Sequence, residues 1–325
     1  MKLATRYLGL TLESPLIVGS SSLTDDVADA RRLEDEGAAA LVLRPLYEEE
    51  ITGEQLGEFF HSESHADSFA EATSYAPEPE SAPGPDEYLE HVRRIKHAVK
   101  VPVIAALSGT TPGGWTAHAR LIEQAGADAL ELHLYHAASD PSQSGAEVER
   151  QMLEVVREVK KIVRIPVALK LPPLFTAFAH FAGQLDAAGA DGLVLFTRFH
   201  RVDLDVVELE VLRTNVPSTP ADLSLRLRGV AALAGRVKAS LAVAGGVHTA
   251  LDVVKATMVG AHAAQLVSAL AENGPRHLHR VRADLESWLK ENEWPSLDPM
   301  RGNMCLDRIP DPAAYERAHF RMMQR

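Results

Sequence analysis

Apolar residues recur along the chain in short, nearly continuous runs, and four of these runs follow a glycine that ends an amphipathic stretch. The four glycines are Gly37, Gly126, Gly189 and Gly260. Glycine adopts the left-handed backbone conformation that ends a helix at no steric cost. Apolar runs without polar alternation are typical of parallel strands buried on both faces. Each joint therefore predicts a helix, a turn and a buried strand.

Three further apolar runs fit between these joints, at Val103 to Leu107, Val167 to Leu171 and Leu241 to Ala244, and a fourth, Leu16 to Val18, precedes the first joint. Eight strand–helix units in 325 residues predict an α/β fold, the (β/α)8 TIM barrel. The alternating segment from Thr5 to Leu12 predicts a short N-terminal hairpin that closes the bottom of this barrel.

Long insertions follow several predicted strands, and in this fold they lie on the C-terminal, catalytic face. Residues 45–85 predict a lid, because loops of this length in a compact domain are usually lids or disordered. Residues 294–325 predict a tail that packs on the barrel or on a partner subunit. We find no linker, so residues 1–325 are predicted to form one domain.

Composition narrows the possible functions. With 33 basic and 45 acidic residues the net charge is −12, and no basic surface for nucleic acid is expected. The single cysteine, Cys305, excludes an intrachain disulfide and a cysteine-held iron–sulfur cluster. No apolar run approaches membrane-spanning length, so we expect a soluble, cytoplasmic protein that makes no membrane contact.

The chemistry of a barrel enzyme depends on the side chains where its strands end. The residues there are Gly19, Ser20, Arg44, Ser108, His133, Lys170, Thr197, Gly245, Gly246, Val267 and Ser268. The glycine pair follows the seventh predicted strand, and small residues follow the eighth. These two loops form the usual phosphate site of such barrels, so we predict that they bind a phosphate rather than form a bare turn. The phosphate could belong to a substrate or to flavin mononucleotide (FMN).

Lys170 and a pair of histidines are the candidate reactive groups. Lys170 could snorkel to solvent, act as a Schiff-base amine, or place a cation against the N1–O2 region of a flavin. His133 ends the fourth predicted strand and His136 opens the next loop. We predict one as an acid–base group and the other as a hydrogen-bonding wall, rather than as metal ligands. No metal site is predicted.

Four segments of the chain together resemble the dihydroorotate dehydrogenase-like flavoproteins, relatives of the soluble class 1 enzymes. The segments are Leu8 to Thr24, Ser108 to Trp115, Ala168 to Pro173 and Ala244 to Thr249. The resemblance covers about the first 290 residues. It implies an FMN-binding barrel, usually dimeric, that transfers hydride between a small substrate and flavin N5 and exchanges electrons with an external partner.

The resemblance also implies roles for individual residues. Gly19 and Ser20 would contact the flavin ring, Arg44 would occupy the position of a family lysine, and His136 would occupy that of the catalytic cysteine or serine. Lys170 would match the conserved lysine at the flavin ring. The remaining cofactor-binding positions are Ser108, His133 and Thr197, with Gly245, Gly246, Val267 and Ser268 around the phosphate.

The chain departs from the family in lacking the asparagines that bind the pyrimidine. No asparagine occurs before Asn215; His133, Thr197 and Ala138 occupy three of the expected positions. Those amides both donate and accept hydrogen bonds, so losing them should cost several kcal/mol of recognition. We therefore predict a substrate other than dihydroorotate. A degenerate flavoprotein that serves as a subunit or regulator, and a Schiff-base lyase using Lys170, are the alternatives.

Overall fold

The computed structural model describes residues 2–52, 84–109, 113–136, 139–197, 203–207, 209–212 and 216–323. Eight parallel strands close into a barrel in chain order, and the last of them pairs back to the first. This confirms the predicted (β/α)8 fold. The barrel strands are β3 (Leu16–Val18), β4 (Ala40–Tyr47), β5 (Val103–Ser108), β6 (Ala129–His133), β7 (Val167–Leu171), β8 (Gly192–Leu195), β11 (Ser240–Ala244) and β12 (Ala263–Leu266).

Helices surround the barrel and alternate with its strands. They are α1 (Val27–Asp35), α2 (Pro85–Ala98), α3 (His118–Gln124), α4 (Gly145–Ile162), α5 (Phe178–Ala187), α6 (Leu223–Leu233), α7 (Ala250–Val259), α8 (Ser268–Asn273), α9 (Arg276–Glu291) and α10 (Pro312–Met322). Gly37, Gly126, Gly189 and Gly260 have φ angles of +102°, +98°, +99° and +121°. The left-handed turns predicted at the four repeated joints are therefore confirmed.

Strand β4 runs three residues beyond the end predicted for it at Arg44. Its register with β5 shifts between Val42 and Pro45, and Pro45 then pairs with Ala106. Proline has no N–H to donate, and an irregularity in the ladder is where a strand accommodates it. Residues 45–47 thus belong to the strand rather than to the predicted lid, and residues 48–52 are helical. Most of the predicted lid, residues 53–83, lies outside the described residues.

The N-terminal hairpin, β1 (Thr5–Tyr7) paired with β2 (Leu10–Leu12), fills the lower barrel. Tyr7, Leu8 and Leu12 are buried together with interior alanines, among them Ala40, Ala129, Ala168, Ala242 and Ala263. Those small residues leave the space that the hairpin occupies. A Cβ on Gly192 would lie 2.4 Å from Cδ2 of Leu8. Burying each large side chain contributes roughly 1.5–3 kcal/mol, so the hairpin is part of the core.

Two peripheral segments complete the described fold. A two-stranded ribbon, β9 (Asp203–Asp205) and β10 (Glu210–Leu212), follows β8. Beyond α9 the chain returns to the barrel, where Leu297, Met300 and Cys305 are buried in the main core. In the part of the chain that the structure describes, no helix is both long and apolar enough to cross a membrane.

Candidate active site at the barrel mouth

Strand register places three of the predicted site residues in one row. Ser108 on β5 pairs with His133 on β6, and His133 pairs with Lys170 on β7. All three stand at the C-terminal ends of their strands. Ser108 and Lys170 are buried, with 9% and 8% of their surface exposed. The barrel therefore brings these predicted residues together at its mouth.

A fully buried carboxylate, Glu131, lies one layer below this row. Its Oε1 accepts hydrogen bonds from Lys170 Nζ at 3.1 Å and from His133 Nε2 at 2.8 Å. Its Oε2 accepts from Gln265 Nε2, while Lys170 Nζ also donates to Gln265 Oε1 at 2.9 Å. Burial alone would raise the pKa of Glu131, but Lys170, His133 and Gln265 hold it at about 2. The site thus contains an ionised carboxylate, and both of its oxygens accept hydrogen bonds.

Glu131 and Gln265 were not predicted as site residues, because both lie inside runs that otherwise have the pattern of apolar strands. The available signal was their charge or polarity at a position that the strand pattern buries, since such groups are rarely buried without a partner. Lys170 was expected either among the other strand ends inside the barrel or snorkelling to solvent at the rim. The structure places its ammonium inside the barrel, paired with a carboxylate from the neighbouring strand.

His136 stands apart from this network, on the loop after β6. Its Nε2 lies 2.7 Å from Oε1 of Gln143, whose own amide nitrogen donates to Gln151 Oε1 at 3.2 Å. An amide oxygen can only accept, so Nε2 of His136 carries a proton, and Nδ1 is the ring nitrogen that can exchange a proton with a ligand. His136 is half-buried, and its position leaves it available to a bound ligand.

The glycine loop after β11 has the backbone conformation of a ligand cradle. Gly245 and Gly246 have φ angles of +87° and +82°, and a Cβ on Gly246 would lie 2.4 Å from the backbone nitrogen of Leu223. Only glycine fits there. The Gly246 N–H donates to Ser218 Oγ at 3.1 Å, and that hydroxyl lies 3.0 Å from Oγ of Ser268. Amide and hydroxyl donors therefore converge at the predicted phosphate loops.

A buried guanidinium, which sequence analysis also missed, lies beside this loop. Arg226 of α6 donates from Nε to the carbonyl of Ala244 at 2.9 Å and from Nη1 to that of Asp222 at 2.8 Å. A Cβ on Gly245 would lie 3.2 Å from its Nη2. Backbone N–H groups, hydroxyls and a guanidinium are the donor set that binds phosphate. These residues fit the phosphate of a mononucleotide.

Gly19 and Val267 meet where β3 and β12 end. A Cβ on Gly19 would lie 2.8 Å from Cγ2 of Val267 and 3.1 Å from Cβ of Gln265, so the position has room only for glycine. Ser20 follows, partly buried. Thr197 continues β8, with its N–H bonded to the carbonyl of Leu171 at 2.8 Å.

Arg44, predicted in the place of a family lysine, makes no contact with the Glu131 network among the described residues. It is exposed, and its Nη2 lies 3.3 Å from Oδ2 of Asp25. Among the predicted substrate positions, Ala138 lies outside the described residues. The described ranges contain no cluster of three or more histidine, cysteine or carboxylate side chains that could hold a metal ion.

Comparison with known proteins is consistent with the geometry of the site. A family model described as dihydroorotate dehydrogenase matches residues 2–289. The chain is similar to the catalytic subunit of dihydroorotate dehydrogenase B (NAD(+)) from Thermoplasma acidophilum, with 26% identity over 305 residues that cover 92% of this chain and 98% of the relative. It is 27% identical over 313 residues to a putative dihydroorotate dehydrogenase A (fumarate) from Aeropyrum pernix, covering 93% and 97%.

Proposed function

The chain belongs to the dihydroorotate dehydrogenase family, and from that premise we propose that it is an FMN-dependent oxidoreductase acting on a CH–CH group of a small substrate. The observation that supports this best is that one barrel mouth holds both the glycine loop with its phosphate-binding donors and a buried lysine, Lys170, paired with Glu131. FMN carries a phosphate and a ring that gains negative charge when reduced, and the two features correspond to these two parts.

The residues that would hold the phosphate are Gly245, Gly246, Ser268 and the newly identified Ser218 and Arg226. The ring would lie against Gly19, Ser20, Ser108 and Thr197, with His133 and Lys170 at the strand ends below it. When bound, FMN supplies a two-electron acceptor that the side chains of this chain lack.

Lys170 supplies a positive charge that is fixed in place before any ligand arrives. Two of its three N–H bonds are directed at Glu131 and Gln265, and within the described residues the third has no acceptor. Nζ of Lys170 forms an ion pair with the buried carboxylate of Glu131 at 3.1 Å. A preorganised cation of this kind stabilises negative charge that develops in the mouth.

The same pairing argues against a Schiff-base lyase, because Nζ of Lys170 is held by Glu131 and Gln265, whereas a nucleophilic amine needs a free lone pair. We propose that His136 takes or gives the substrate proton through Nδ1, since Gln143 occupies Nε2. The electron partner would be external, because the one cysteine cannot hold an iron–sulfur centre.

The substrate we propose is one other than dihydroorotate. What supports this is the set of side chains at the strand ends, where histidine and threonine replace amides that both donate and accept hydrogen bonds. A catalytically degenerate subunit or regulator is the second candidate, and the diversion of Arg44 to Asp25 favours it. A homodimer remains a prediction.

Titrating the flavin-free protein with FMN and, separately, with riboflavin tests the proposal. We expect FMN to bind at least tenfold more tightly, because only FMN carries the phosphate that the glycine loop and Arg226 would hold. Equal affinity for the two compounds, or no binding of either, would refute it. Reduction of bound FMN by a candidate donor at a useful rate would exclude the degenerate alternative.

A further inference from the structure

His133 and Glu131 lie two residues apart on β6, so both side chains point into the barrel. The ring of His133 is oriented by the hydrogen bond from its Nε2 to Oε1 of Glu131, at 2.8 Å. Glu131 is fully buried and ionised, and an ionised carboxylate can only accept. The proton of this hydrogen bond therefore belongs to Nε2 of His133.

His133 is neutral in this setting. Burial lowers its pKa and the nearby Lys170 ammonium lowers it further, while Glu131 opposes both effects. Lys170 from β7 and Glu131 from its own strand are the charged groups that act on the ring. A neutral ring with its proton on Nε2 has a lone pair on Nδ1.

Nδ1 of His133 is open to a ligand. Within the described ranges Nδ1 makes no hydrogen bond. It is also not fully buried, so a ligand can reach it. The side chain keeps 12% of its surface exposed, and it stands at the C-terminal end of its strand. The exposed part therefore faces the barrel mouth.

We propose that Glu131 and His133 form a carboxylate–histidine pair, in which Glu131 positions the ring and Nδ1 of His133 accepts a hydrogen bond from an N–H or O–H group of the ligand in the mouth. The inference rests on the proposed function, because that ligand is the FMN proposed there. An asparagine amide can turn to donate or accept, whereas this pair can only accept. The position therefore favours a ligand group that donates a hydrogen bond and disfavours a carbonyl, which can only accept one.

Nitrogen NMR of the histidine rings tests the pair without any ligand. In histidine-labelled, flavin-free protein at pH 7.5 we expect His133 to be protonated at Nε2 and unprotonated at Nδ1, with the signal assigned by its loss in His133→Asn. The double variant Glu131→Leu/Lys170→Met removes the acceptor without leaving a buried charge, and it should abolish this fixed tautomer. His136, bonded to Gln143, should keep its tautomer in that variant and so serves as an internal control. A wild-type ring protonated at Nδ1, alone or with Nε2, would overturn the pair.

FMN binding tests whether Nδ1 meets the ligand. His133→Leu removes the acceptor and should weaken FMN binding about tenfold, whereas His133→Asn keeps an acceptor and should stay within about threefold of wild type. His180→Leu, an exposed position on α5, should change nothing. Unchanged affinity in His133→Leu would overturn the ligand role. A wild type that takes up no FMN would refute the proposed function and this role, and the NMR result would then decide the pair alone.

Discussion

Nζ of Lys170 lies 3.1 Å from Oε1 of Glu131, across the β6–β7 pairing and inside the barrel. The two side chains come from strands 39 residues apart in sequence, and each compensates the charge that the other buries. The two buried charges of the upper barrel therefore compensate each other, and the ammonium of Lys170 lies at the mouth. The lower barrel is closed by the apolar side chains of the N-terminal hairpin.

Replacing only one partner of the Lys170–Glu131 pair should lower the free energy of unfolding much more than replacing both partners. In Glu131→Leu the ammonium of Lys170 is buried without its partner, and we expect a loss of about 3–5 kcal/mol in the free energy of unfolding. The double variant Glu131→Leu/Lys170→Met buries no charge and should recover most of that loss. Urea unfolding measures both. Additive losses in the double variant would contradict the account.

Packing of the hairpin against β8 should make Gly192 intolerant of a side chain. Gly192→Ala places a Cβ 2.4 Å from Leu8 and 3.3 Å from the carbonyl of Ser240, and overpacking of this kind costs about 1–3 kcal/mol. Gly183→Ala on α5 is the matched control, because nothing lies within 4 Å of its new Cβ. That variant should gain roughly 0.5–1 kcal/mol. Thermal unfolding that showed equal effects at both positions would refute the packing argument.

The half-buried His262 should make stability fall in acid. Its Nδ1 accepts the N–H of Leu241 at 3.0 Å, which requires an unprotonated nitrogen. Burial and then Arg301 lower its pKa from 6.5 to about 4. The stabilisation is therefore complete above pH 6.5, declines as the pH falls, and is lost below about 4.

The effect of His262 on the free energy of unfolding has an upper limit of about 3.5 kcal/mol, since its pKa falls from 6.5 to about 4 and each pKa unit corresponds to about 1.4 kcal/mol. Urea unfolding at pH 7.5 and pH 4.5 measures it. His262→Asn keeps an acceptor for Leu241 but does not titrate, so its loss between the two pH values should be smaller than that of the wild type. The same loss in both proteins would show that other groups cause it.

A side chain on Gly246 should disrupt the predicted phosphate-binding loop and weaken FMN binding. In Gly246→Ala the new Cβ meets the backbone of Leu223 at 2.4 Å in a left-handed residue, so the loop must move and FMN affinity should drop at least tenfold. Gly9→Ala is the control: it is also left-handed, at +76°, but it has no neighbour within 4 Å and lies in the hairpin at the bottom of the barrel. It should bind FMN as the wild type does. Fluorescence titration of FMN compares them.

The barrel could be predicted because its signals are local. A glycine after each amphipathic helix and a short apolar run after each glycine describe four joints, and proline or glycine marks most of the rest. The end of β4 could not be predicted in this way, since the pairing of Pro45 with Ala106 depends on a bulge set by the neighbouring strand.

The site could be predicted only where its residues stand at strand ends. Lys170, His133 and the glycine pair do so, but Glu131 and Gln265 lie within strands that are 39 and 95 residues from Lys170. Arg226 is on a helix, 18 residues before the carbonyl that it contacts. No local pattern links such positions, because the closure of the barrel alone brings them together.

The visible absorption spectrum of the freshly purified protein tests the central claim most directly. If a flavin nucleotide lies between the glycine loop and Lys170, the protein should be yellow, or should become so on addition of FMN, with a stoichiometry of one flavin per chain. A colourless protein that leaves added FMN unbound would contradict the account.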